Sequence, residues 1–182
     1  LQTPASHIKE GGVLMLRSPA FTNGGRIPQK YTIDGQKASP PLKWDDPPGG
    51  TKSFAILMED LDVPKEYGGI FIHWMVHDIP ASARELSDGA RPDGKLPDGA
   101  REVPNFYARM GMANTPMVKY GPPWPPTPDH RYKFTLFALK VEKLQLGRDA
   151  GYEEFMKEVK KNMLSTSELI GVYGPSRTPL PK

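Results

Sequence analysis

Short apolar runs bounded by Gly, Pro, Asn or Asp recur along the chain and set its first reading. In VLMLRSPAF (13–21), SFAILMED (53–60), IFIHWMVHDI (70–79), YKFTLFALKV (132–141) and ELIGVYG (168–174), β-branched and aromatic residues are frequent and the lengths suit strands. SFAILMED is apolar at both parities, which predicts a central strand buried on both faces. One segment has a different period. Tyr152, Phe155, Met156, Val159 and Met163 share a helical face, predicting a helix over about 152–163. Glu153 and Glu154 in its first turn and Lys160 and Lys161 in its last suit the helix dipole. Its Met and Phe stripe reads as core. The pattern is that of a mainly β domain with one C-terminal helix and few others.

Composition agrees. The 21 prolines and 18 glycines punctuate short strands, and 182 residues is the length of one ordinary domain. We therefore expect a polar N-terminal arm over 1–12 and a single domain over 13–182. ELSDGARPDGKLPDGAREVPN (85–105) reads as a long polar surface excursion. A net charge of +3 without a basic run argues against nucleic acid, and no apolar run approaches the ~20 residues of a membrane helix. The absence of cysteine excludes disulfides and a thiol nucleophile. The start at Leu1 with a polar stretch leaves the cytoplasm open and leans toward a periplasmic or secreted protein.

Strand parity supplies the candidate chemistry. Asp60 extends the face of Phe54, Ile56 and Met58, and Asp62 continues the same parity. His73 shares a parity with Phe71, Met75 and His77, and His130 shares one with Tyr132, Phe134 and Leu136. Three strands thus each aim an ionisable group inward, where it must find a partner or face a polar pocket. His77 reads as structural or surface. The segment before His130, GPPWPPTPDHRY, belongs to a stretch (116–128) holding six of the prolines, so a rigid loop delivers that histidine to the start of a strand. No histidine pair has metal-ligand spacing and no nucleophile elbow is present, so neither a metal, another cofactor nor a catalytic residue is assigned.

YTIDGQKASPPLKW, GTKSFAILMEDLDVP, FIHWMVHDIPASARELSDG and YGPPWPPTPDHRYKFTLFAL, followed by the closing helix and ELIGVYG, resemble in content and order the phosphatidylethanolamine-binding protein family, also called the Raf-kinase-inhibitor-like family, and especially its bacterial and archaeal branch. The resemblance implies a Greek-key antiparallel β-sandwich. It implies a pocket for phosphate or phosphorylated head groups lined by Asp60, Asp62, Pro64, His73, His130 and Tyr132. Within it, two imidazoles and a phenol would donate to the anion, while Asp60 would hold a histidine positive. A cis peptide bond into Pro41 or Pro64 would suit such a site. Leu61 stands where the branch often has proline, Pro122 where it has glycine, and Ile33 and Trp124 where it often has cysteines. The expected function is non-enzymatic binding of a small anion or phosphorylated head group, with modulation or inhibition of a partner kinase or serine protease and homodimer formation. An acid/base hydrolase using Asp60 with His73 or His130 is the alternative.

Overall fold

A computed structural model of the chain describes residues 13–126 and 128–174. The expected arm over 1–12, with Leu1, lies outside the described residues. Among the described residues, eight strands form two antiparallel sheets: β1 (Met15–Arg17), β2 (Leu42–Asp45) and β5 (Glu85–Leu86) in the order β1-β2-β5, and β3 (Ser53–Asp60), β4 (Phe71–Pro80), β6 (Arg101–Val103), β7 (His130–Leu139) and β8 (Met163–Tyr173) in the order β6-β4-β3-β7-β8. The α-helix of the described residues, α1 (Tyr152–Asn162), runs directly into β8. The chain is mainly β, and no helix among the described residues is long and apolar enough to cross a membrane.

Two cores hold these layers. Between the sheets, Leu16, Leu42 and Trp44 of the small sheet meet Phe54, Trp74 and Phe134 of the large one. On the outer face of the large sheet, Phe155 and Val159 of α1 cover Ala55, Leu57, Met75 and Phe137. β3, apolar on both parities, is therefore buried on both faces and pairs with β4 and β7. The alternation that marks a half-buried strand is absent here because both of its faces lie inside the protein.

The 85–105 segment runs largely over the surface as expected, but its two ends correct the sequence reading. It carries β5 into the small sheet and β6 into the large one, with Leu86, Ala90 and Val103 buried. Glu102 accepts hydrogen bonds from Trp74 Nε1 at 2.8 Å and Arg91 Nε at 2.7 Å, so the segment is tied into the sandwich. Its polar letters mislead because the carboxylate of Glu102 is satisfied from both sides. The cis peptide bond among the described residues joins Arg91 to Pro92, and not the chain to Pro41 or Pro64.

Strand β4 departs from a regular period in two places. Met58 pairs with Trp74 and Glu59 with Ile72, which leaves His73 as an extra residue. Trp74 accordingly faces the inter-sheet core while Ile72 faces α1, although an unbroken strand would put them on one side. A second irregularity places two residues, His77 and Asp78, opposite Ala55, with Asp78 at a φ of 56°. There His77 Nδ1 lies 2.8 Å from Asp78 Oδ1, and the same oxygen accepts from the Leu144 amide at 2.9 Å. His77 is buried near Phe155 in a structural role.

Phe155 is fully buried at the centre of the outer core. Phe155→Ala is expected to destabilise the protein by roughly 3–5 kcal/mol in urea unfolding, the cost of a large aromatic cavity.

Candidate functional site

The ends of β3, β4 and β7 converge on one face. Asp60 pairs across the sheet with Tyr132 on one side and Phe71 on the other, and His130 is two residues from Tyr132 on the same side of β7. Both carboxylate oxygens of Asp60 are engaged: Oδ2 lies 2.7 Å from His130 Nδ1, and Oδ1 accepts from the Asp62 amide at 2.8 Å. The extra residue in β4 turns His73 toward this group. Its ring packs edge-on against Tyr132, with centroids 5.2 Å apart, and lies 4.9 Å from the ring of Phe71.

His73 is fixed through the proline-rich loop. Its Nδ1–H donates to the Gly121 carbonyl at 2.8 Å, and the Gly121 amide donates back to the His73 carbonyl at 2.8 Å. Asn105 Nδ2 also donates to the His73 carbonyl at 2.8 Å, while Asn105 Oδ1 caps the short helical turn Phe106–Met110 by accepting from the Tyr107 amide. A Cβ at position 121 would come within 2.7 Å of Asn105 Nδ2 and the Tyr107 ring, so only glycine admits this approach. The Tyr107 hydroxyl then donates to the Pro122 carbonyl at 2.9 Å. The prolines stiffen a loop that these bonds hold in place.

These groups open on a cavity of about 850 Å³ whose wall contains Asp60, Pro64, His73, His130 and Tyr132. Asp62 is not in the wall, a correction to the sequence reading: its carboxylate grips Arg131, at 3.0 Å from Nε and 2.8 Å from Nη2, and accepts from the Arg131 amide. The parity that assigned it ends with the strand at Asp60, and the chain bends there. Leu61 and Pro122 are also outside the wall, and the Leu61 amide donates to the Arg131 carbonyl at 2.9 Å, a bond that proline could not make.

The sequence reading missed most of the aromatic wall. Phe106, Tyr107 and Arg109 come from the short turn after β6, and Tyr67 and Ile70 from the β3–β4 connection. Neither segment has a readable period, and NFYARM itself, aromatic after an Asn cap, was the available signal. At the mouth, Tyr67, Met110 and Trp124 are 76%, 60% and 49% exposed. At the buried end the Tyr132 hydroxyl has no hydrogen-bond partner among the described residues. No group of three His, Asp or Glu able to hold a metal occurs among those residues.

Asp60 does not keep His73 positive. Burial pushes the imidazole pKa down to about 4, and the Gly121 carbonyl and the Asp60 charge only partly offset that effect. At neutral pH His73 is uncharged, and with Nδ1 protonated its Nε2 is an acceptor. The unfolded chain takes a proton near pH 6.5 that the folded protein refuses until about pH 4, so stability is full above 6.5 and falls as pH drops through this interval. The urea midpoint is expected to decline over that range in the wild type and more shallowly in His73→Phe. Parallel declines would place the cause elsewhere.

Comparison with known proteins follows the same geometry. Residues 17–174 match the family described as phosphatidylethanolamine-binding protein. A protein of Methanothermobacter thermautotrophicus named UPF0098 is 36% identical over 158 residues, covering 87% of this chain and 97% of its own. A protein of the same name from Aquifex aeolicus is 38% identical over 167 residues, covering 90% of both chains. The crystal structure of E. coli YbcL, described as a member of the mammalian PEBP family, superposes with a TM-score of 0.77 at 30% identity over 89% of this chain and 98% of its own. By sequence over most of its length and by fold, the chain belongs to the phosphatidylethanolamine-binding protein family.

Proposed function

We propose that the protein is a non-enzymatic binder of small phosphorylated ligands, phosphate or a phosphorylated head group, held in the cavity at the ends of β3, β4 and β7. The observation that carries this reading is the Tyr132 hydroxyl, which is buried in the cavity wall with no hydrogen-bond partner among the described residues. An unmade bond at a buried hydroxyl costs about 1–3 kcal/mol, and a ligand oxygen recovers it. His73 complements this donor. Its Nε2 lone pair accepts the P–O–H proton of a monoprotonated phosphate, while Tyr132 donates to another oxygen. The apolar and aromatic walls receive the ligand's substituent.

Modulation of a partner kinase or serine protease is the downstream role the family suggests, and the exposed Tyr67 and Trp124 at the mouth give a liganded pocket a surface through which to act. Self-association as a homodimer belongs to the same reading.

The Asp60–His130 contact of 2.7 Å supports a second reading, in which the pair acts as a general base that activates water against a small phosphate ester. Steady release of phosphate from a monoester, abolished in His130→Ala, would favour it over binding alone.

Tyr132→Phe separates binding from stability. Deleting the unpartnered hydroxyl is expected to stabilise the free protein by about 1 kcal/mol and to weaken phosphate-ester binding about tenfold. Calorimetric titration with O-phosphorylethanolamine and urea unfolding of the same variant check both signs. Unchanged affinity would remove the hydroxyl from the site.

A further inference from the structure

We infer that Arg109 is the charge-selecting residue of this pocket and that it tunes the site toward phosphomonoesters with an uncharged apolar substituent, in preference to zwitterionic ones. The inference rests on the phosphorylated-ligand reading given above and adds the ligand class to it.

Arg109 is the one Lys or Arg in the cavity wall among the described residues. The buried end carries the Asp60 carboxylate and an uncharged His73, so it offers directional bonds without a dependable excess of positive charge. The guanidinium of Arg131, next to His130 in sequence, is occupied by two hydrogen bonds to Asp62. Arg109 is therefore the permanently charged cation that an anion entering the cavity meets.

The side chain is placed for that role. Its guanidinium lies 3.8 Å from the centroid of the Phe106 ring. Phe106 packs edge-on against Phe71 at 5.8 Å, and Phe71 lies against His73 at 4.9 Å. A chain of edge-on and tilted ring contacts thus links the ring beneath the guanidinium to His73. A stacked guanidinium keeps its N–H edge for an acceptor and loses little freedom when it binds one. The carboxylate paired with it, Glu153 of α1, is 3.8 Å away and mostly exposed, a separation beyond hydrogen bonding and a pairing weak in water.

Charge selection follows from position. Arg109 attracts the phosphate of any ester, but it repels an ammonium carried on the substituent, so for a zwitterion the two effects oppose. An apolar substituent avoids that opposition and packs against Ile70, Met110 and Trp124.

The test is calorimetric titration of phenyl phosphate and O-phosphorylethanolamine into wild type, Arg109→Met, Arg109→Lys and Tyr132→Phe, at neutral pH and at low and moderate salt, with melting curves to confirm folding. Arg109→Met is expected to weaken phenyl phosphate about tenfold, as loss of the one permanent cation in the wall of a cavity holding an anion should. It should change O-phosphorylethanolamine by less than about threefold, because attraction and repulsion are removed together. The salt dependence of phenyl phosphate binding should fall in the same variant, and Arg109→Lys should retain part of the affinity. An Arg109→Met protein with an unchanged ratio of the two affinities, alongside a Tyr132→Phe protein that has lost affinity for both, overturns the role of Arg109 and leaves the pocket reading standing. Failure of wild type to bind either ester overturns both.

Discussion

The exchange of hydrogen bonds between His73 and Gly121 is the contact on which the rest of the site depends. It needs two things at once: an extra residue in β4 to bring His73 onto the pocket face, and a position 121 without a side chain to let the loop approach. Once it forms, Asn105 closes on the His73 carbonyl and caps the turn carrying Phe106 and Tyr107, and Tyr107 reaches on to Pro122. Two loop segments, the Asn105-capped turn Phe106–Met110 and the loop at Gly121 and Pro122, are thereby positioned against one strand. Proline content makes this cheap, since much of the loop's freedom is already gone before folding.

The same contact sets the electrostatic character of the pocket. Committing Nδ1–H to a carbonyl fixes the tautomer of His73, and burial keeps the ring neutral. The cavity is therefore a place of matched donors and acceptors at its buried end and of aromatic surface toward its mouth. Arg109 is the one permanently charged cation of the cavity wall among the described residues.

How much of this was legible depends on whether local period and tertiary setting agree. β3 was read in full because it is apolar on both faces, and α1 because its 3.6-residue stripe meets a core. Asp60, His130 and Tyr132 were placed by simple alternation on strands that keep their period toward the site. His73 came out on the pocket face through a faulty step: the parity it shares with Met75 leads to the α1 side, and only the bulge separates the two. Asp62 was misplaced because alternation was extended past the strand's end. Strand β2, LKWD, was too short to show a pattern, although Trp44 is wholly buried in it. Phe106, Tyr107 and Arg109 lie on a single helical turn, which has no period to read.

The direct passage from α1 into β8 makes chain length at that point as restrictive as any side chain. Asn162 ends the helix and Met163 begins the strand, with no connecting residue to absorb a change. One inserted residue would have to rotate α1 by about 100° and carry Phe155 and Val159 off the outer core. Otherwise it would turn β8 over, moving Leu169 and Tyr173 to the opposite face. Descendants of this chain should accordingly vary in residue type along α1 and β8 while keeping the spacing between Phe155 and Leu169 unchanged.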